Sequence, residues 1–300
     1  MYYCMKSSIL PKISLVNIAH IEPPYVHKRR RADEYIMYVI KSGVMYLKEG
    51  DVSYELKPGD VVTLDPNFYH EGLKASECEY YYIHFRHEAM SKEVELDING
   101  SKKRLIQMRS DALQSNSFSY ETYDEERLVL PKYFHHDNQA SFIKLMYVLN
   151  EAIEENRTHL EGYKIKCSCK IMDAMVIMER YFVSTCMEYF DLSSARAYTK
   201  VEAILNYINE DYPKSLSSQL LEDKFSCNFD SMNRIFKKIT GSTIFSYLNK
   251  VRMEHAKELL STTSLSVGEI GERVGFLDIY YFSKVFKKHT GVAPSHYIKG

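Results

Sequence analysis

The pattern Phe-Lys-Lys-x-Thr-Gly occurs twice, at Phe236–Gly241 and at Phe286–Gly291. Each copy closes a polar, aromatic-studded run: "CNFDSMNRIFKKITG" from Cys227 and "VGFLDIYYFSKVFKKHTG" from Val274. On a helical wheel Met232, Ile235 and Phe236 share one face of the first run. Phe282, Val285 and Phe286 share the equivalent face of the second. Opposite them lie Asp230, Asn233, Arg234 and Lys237 in the first run, then Tyr280, Ser283, Lys284 and Lys287 in the second, with Lys288 at the edge. Such residue types recognise nucleic acid. Arg and Lys donate to guanine, Asn pairs with adenine, and a lysine near a helix C-terminus neutralises phosphate. For one copy alone, a solvated polar face is the better explanation of the pattern. Two copies that keep the core face and change the outer one are what two readers of different half-sites require.

A short helical segment and a tight connection, "KFSC" or "RVGFL", precede each run, which is helix-turn-helix layout. From residue 200 the chain reads as helix throughout: 200–212, 217–225, 228–239, 243–261, 266–274, 278–289 and a short tail from Ser295. Ser217, Asn228, Thr243, Ser266, Asp278 and Ser295 suit helix starts, and Gly241, Gly275 and Gly291 suit helix ends.

The front of the chain has a different period. "EYIMYVIKSG", "VMYLKEG", "VSYELKPGDVVTL" and "CEYYYIHFRHE" are short β-forming runs broken by Ser42-Gly43, Glu49-Gly50 and Pro58-Gly59-Asp60. Strands at this spacing predict a β roll around an interior cavity. Residues 91–135 read as late strands and loops. From about Asn138 a helical stripe of Phe142, Leu145, Met146, Leu149 and Ile153 appears, and a second long, Met-rich helix follows. The pair over 138–190 is expected either to pack on the β roll or to form a homodimer. "DLSSARAYTK" is a candidate linker, placed at 191–199.

Three hundred residues with 45% hydrophobic content suffice for two cores, predicted over 1–190 and 200–300. The formal charge of -1 hides a small basic surplus after Lys200, which suits an anionic partner. The six cysteines lack framework or zinc-knuckle spacing, as in a reducing compartment. No apolar run approaches membrane-span length and the first residues are too polar for a signal peptide, so a cytoplasmic protein without membrane contact is expected.

"SLSVGEIGERVGFLDIYYFSKVFKKHTGVAPSHY" resembles the signature of the AraC/XylS family of transcription regulators, densely over 264–297 and more loosely back to about residue 200. The resemblance implies two helix-turn-helix units joined by the long helix in "TIFSYLNKVRMEHAKELLSTT". Their recognition helices, 228–239 and 278–289, would enter successive major grooves of double-stranded DNA. By position it adds Ile279 to the outward residues above. Contact with RNA polymerase, and a role as activator or repressor, also come with the family.

Glu222 and Gly271 stand where a small alanine is usual, Ser226 replaces a turn glycine, Asp230 sets a negative charge on the reading face, and Ile298 replaces an arginine. The front segment resembles the family's cupin-like effector domain, with Pro58-Gly59-Asp60 and Pro66-x-x-x-His70 as landmarks. The implied fold is α+β in two domains: a cupin-like β roll with a helical pair, then an all-α double helix-turn-helix domain. Its effector would be a small molecule, with a sugar first in line given the family's habits and the abundant tyrosine.

His27, Tyr38 and His70 are the polar groups expected at that cavity, although core residues with local hydrogen bonds would look the same. A metal-dependent cupin enzyme fused to a DNA-binding tail is the alternative. Arg29 stands where its second histidine belongs, so His27, Glu34 and His70 form an imperfect set, and no metal, cofactor or catalytic residue is expected. A basic tail that binds a protein is the third reading.

Overall fold

Short β-branched and aromatic runs separated by tight turns give the front unit its strands: Tyr2–Met5 (β1), Lys12–Ile21 (β2), Tyr35–Gly43 (β3), Met45–Glu49 (β4), Val52–Leu56 (β5), Asp60–Leu64 (β6), His70–Gly72 (β7), Cys78–Arg86 (β8), Ser91–Glu93 (β9), Leu128–Pro131 (β10) and Tyr133–His135 (β11). The structure is a computed structural model that describes residues 1–93, 98–115, 127–190 and 192–297. The sheets run β10-β1-β9, β11-β6-β3-β8-β2 and β5-β4-β7. In the five-stranded sheet Met37 lies beside Ile83, and Ile83 beside Val16. Gly43 turns the chain with φ 74, and a Cβ there would lie 2.2 Å from the Glu77 carbonyl oxygen, so only glycine fits.

Strand β3 is buried on both faces, which explains its near-continuous apolar sequence. Ile36, Tyr38 and Ile40 join Leu47, Leu56, Val62 and Tyr80 inside the roll. Met37 and Val39 join the core beneath the helical pair, Gln139–Thr158 and Tyr163–Phe190. The expected stripe of the first of these helices is spent here: Leu145, Leu149 and Ile153 are buried, and Phe142 and Met146 pack at the margin.

Late strands and loops over 91–135 account for β9, β10 and β11 but not for Ile98–Gln114, which is helix α1. Its polar composition gives little periodicity. Contacts distant in sequence hold it instead: Arg104 pairs with Glu93, Arg109 with Glu202, and Leu113 packs on the first core of the helical unit. The helices of the pair are therefore α2 and α3.

Contacts divide the chain into Met1–Leu105 with Tyr123–Cys186, and Ile106–Thr122 with Met187–Gly300. The second unit continues with Leu192–Asp211 (α4), Ser218–Phe225 (α5), Phe229–Thr240 (α6), Ile244–Thr262 (α7), Val267–Arg273 (α8), Ile279–Thr290 (α9) and Pro294–Tyr297 (α10). Residues 192–199 of the expected linker are the opening turns of α4, since its Ser and Ala suit a helix as well as a tether. Ser217, Asn228, Thr243, Ser266 and Asp278 are N-caps whose side chains accept backbone N–H bonds. Ser295 is not a cap: α10 opens at Pro294, which needs no donor partner. Ile298 lies outside the described residues. Among the described residues no helix is long and apolar enough to cross a membrane.

Candidate nucleic-acid interface and effector cavity

The first helix-turn-helix is α5 and α6. Between them Ser226 takes the left-handed conformation, φ 47 and ψ 49, that a glycine would adopt more cheaply. Glu222 explains its own departure from a small residue. Its half-buried carboxylate accepts the Phe229 N–H at 2.6 Å and the Asn228 amide at 3.3 Å, so it holds the start of α6. Met232, Phe236 and Ile239 are buried and Ile235 packs beside them, while Asp230, Arg234 and Lys237 are exposed. Asn233 has a structural use that the wheel did not show. Its Oδ1 accepts the Ile244 N–H at 2.9 Å, which satisfies a donor at the start of α7.

In the second unit, α8 and α9, Ser266 and Glu269 form a reciprocal capping box. Gly271 lies under Phe282, where a Cβ would meet the ring at 3.2 Å. Asp278 accepts the Tyr280 and Tyr281 N–H groups. Phe282 and Phe286 are fully buried, with Val285 beside them. Outward, Ile279, Tyr280, Lys284 and Lys287 are exposed and Ser283 is half-buried. Leu277, 99% exposed just before α9, and Tyr280, 84% exposed in its first turn, give that end of the helix an apolar surface that α6 lacks. Pro294 occupies the place of Ile244 and has no N–H, so Ser283 is spared the duty of Asn233.

One buried side chain holds the two helix-turn-helix units in register. Arg252 of α7, 8% exposed, donates through Nε to the Tyr212 carbonyl and through Nη2 to the Lys214 carbonyl, each at 2.8 Å. Its guanidinium sits 5.2 Å from the Phe276 ring centroid. A Cβ on Gly275, φ 91, would strike the Pro213 carbonyl oxygen at 2.6 Å. Among the described residues Arg234, Lys237, Lys284 and Lys287 form no ion pair, so both outward faces carry unpaired cations, that of α6 together with the carboxylate of Asp230.

In the front unit a cavity of about 750 Å³ opens between β2, β3, β8 and residues 22–30. His27 and Tyr38 line it together with Tyr25, Tyr80, Tyr82 and Arg30. The Tyr38 hydroxyl is 3.4 Å from His27 Nε2, and burial pushes its pKa up to about 12. His27 Nδ1 donates to the Lys28 carbonyl at 3.0 Å, and burial lowers its pKa, so the ring is neutral. His70 does not line the cavity but supports it from behind, its ring 5.3 Å from that of His27. Burial above all, with the Arg30 cation beside it pushing the same way, brings its pKa down to about 4.

Arg30 and His84 were not picked out in the sequence. Arg30 lies in a run of four basic residues that gives no hint which one faces inward. Glu34, a metal-ligand candidate, bonds His84 Nδ1 at 2.8 Å and Ser14 instead. Among the described residues no three His, Cys, Asp or Glu side chains are placed to hold a metal ion.

A cavity-bearing β domain and a helical domain with two exposed basic helices define a ligand-binding regulator of DNA. Residues 13–122 match the AraC-like ligand binding domain, and residues 221–300 match a helix-turn-helix domain. The two matches together support a DNA-binding transcriptional regulator of AraC type with a ligand-binding domain. The chain is 26% identical over 275 residues to the uncharacterized HTH-type transcriptional regulator YisR of Bacillus subtilis, which covers 91% of this chain and 88% of YisR. It is 37% identical over 103 residues to the HTH-type transcriptional activator RhaR of Escherichia coli, 33% of this chain and 36% of RhaR. The match to the transcriptional activator and DNA repair enzyme AdaA of Bacillus subtilis, 35% identical, covers 32% of this chain and 46% of AdaA. Of those last two relatives the chain thus spans less than half. Among solved structures, the C-terminal domain of the response regulator AraT from Geobacillus stearothermophilus aligns at TM-score 0.33 with 34% identity, over 33% of this chain and 84% of that one. ToxT from Vibrio cholerae aligns at TM-score 0.31 with 18% identity, over 95% of this chain and 96% of that one.

Proposed function

We propose that α6 and α9 read successive major grooves on one face of double-stranded DNA, under the control of a small molecule bound in the β roll. The observation that carries this reading is the pair of exposed basic faces with unpaired cations, Arg234 with Lys237 and Lys284 with Lys287, on the second helices of two helix-turn-helix units. Arg234 and Lys284 are the base readers, and Lys237 and Lys287 neutralise phosphate near the helix C-termini. Asp230 favours the α6 N-terminus or accepts from cytosine, while Ile279 and Tyr280 offer apolar contact to thymine methyl groups. The effector reaches His27 and Tyr38, and the four lining tyrosines suit the ring of a sugar or similar compound.

The apolar stripe of α2 is used within the chain, so a homodimer would pair the opposite faces, where Ile143 is 54%, Tyr147 64% and Ile165 64% exposed. The protein would act in the cytoplasm, touch RNA polymerase when bound near a promoter, and catalyse nothing.

Gel-shift titration against selected and random DNA over a salt series tests the reading. Lys284→Ala and Arg234→Ala should each lose roughly 1–3 kcal/mol on the selected site and little on random DNA. Equal losses on both DNAs would make them phosphate contacts. An absence of retention at low salt would refute DNA binding itself.

A further inference from the structure

We propose that the effector carries a negative charge, received by Arg30, and that His70 is the positioning residue that sets the guanidinium. The proposal rests on the reading of the cavity as the effector site. Arg30 is fixed at three points. Its N–H donates to the His70 carbonyl and its carbonyl accepts the His70 N–H, both at 2.9 Å, and its Nε donates to His70 Nε2 at 3.2 Å. A long cationic side chain normally spends rotamer freedom when it meets a ligand. Here that cost is met before the ligand arrives.

Held this way, Arg30 lacks a counter-ion. Among the described residues it forms no ion pair, and within the cavity it reaches the Tyr38 hydroxyl. The cavity wall carries the cations Lys28 and Arg30 against one carboxylate, Glu22. The next acid, Glu34, has both oxygens engaged, one with His84 Nδ1 at 2.8 Å and the other with the Ser14 hydroxyl at 2.7 Å. His70 and His27 are neutral and present acceptor nitrogens, so neither competes with Arg30 for an anion.

Opposite lie the rings of Tyr38, Tyr80 and Tyr82 in succession, with centroids 5.1 and 6.2 Å apart, which take the uncharged body of a ligand. The planar fork of a guanidinium fits a carboxylate or a phosphate equally. The class is therefore a small organic anion with a ring or carbon body, a sugar acid or an aromatic acid, and not a neutral sugar.

The test is thermal shift and calorimetry of the full chain with matched probes: glucose against glucuronate, and benzyl alcohol against benzoate and phenyl phosphate. At least one anion should raise the Tm while its neutral partner does not, and the benzoate and phenyl phosphate arms separate carboxylate from phosphate. Arg30→Gln should weaken that anion at least about tenfold, and Arg30→Lys less, each shift being read against the same variant's unliganded Tm. His70→Leu should weaken it and His70→Gln, which restores an acceptor, should recover it.

A neutral probe that stabilises wild type and Arg30→Gln alike overturns the proposal, as does a panel in which no anion raises the Tm. DNA retention by the same preparations is scored separately. Specific retention without an anion response refutes only the charge. An anion response without specific retention refutes the regulator reading and leaves the charge standing.

Discussion

Asn233 shows how one side chain can belong to two accounts at once. The wheel assigns it to the outward face, yet its Oδ1 closes the start of α7 on Ile244. Asn233→Ala should therefore cost about 1 kcal/mol of stability, as loss of a helix cap does. DNA binding should fall equally on specific and random sequences, and Asn233→Asp, which keeps the acceptor, should restore the stability. Urea unfolding and gel shift decide it: a loss confined to the specific site with unchanged stability would return Asn233 to base reading.

The reason this was invisible in the sequence is instructive. A cap made by the next residue in line, such as Ser266 with Glu269, leaves a local pattern, whereas Asn233 caps a helix that begins after an intervening turn. Arg30 is hidden for the same reason, because its partner His70 is brought beside it only by the fold.

At the scale of elements, the two reading helices differ most in their first turns. That of α6 presents Asp230, and that of α9 presents Ile279 and Tyr280 with Leu277 just before it. Replacing thymine by uracil removes one methyl group and nothing else, so it isolates apolar readout. Each methyl contacted by α9 should be worth roughly 0.8 kcal/mol when removed, and the same exchange in the half-site of α6 should change little. A gel shift on substituted operators checks this, and equal sensitivity of both half-sites would count against it.

The helical elements were legible because caps, glycine ends and core periodicity agreed over 200–297. Helix α1 was not, because Arg109 and Leu113 find partners far along the chain and its own sequence is nearly featureless. The stripe of α2 was legible as apolar, but which surface it covers depends on β3 being buried on both faces.

Over the whole molecule, the front unit is the part that acid should open. His70 and His136 are buried and held near a pKa of about 4, against 6.5 for an ordinary histidine. As pH falls the unfolded chain takes up these protons first, so their stabilisation is complete above about pH 6.5 and drains away towards pH 4. Each is worth on the order of 3 kcal/mol over that window. Urea midpoints measured stepwise from about pH 7 to about pH 4.5 should fall steadily. His136→Phe, which keeps the stack on Tyr181, should flatten the slope.

Arg252 gives the reading heads a fixed gauge. A guanidinium on α7 bonded to the Tyr212 and Lys214 carbonyls and laid on Phe276 joins the segment that leads into the first helix-turn-helix to the turn of the second. Such a calliper tolerates base changes more readily than changes of length. An operator stretched by about five base pairs, half a helical turn, would present its second groove to the wrong side of the protein. Sites for this regulator should thus vary in letters before they vary in spacing.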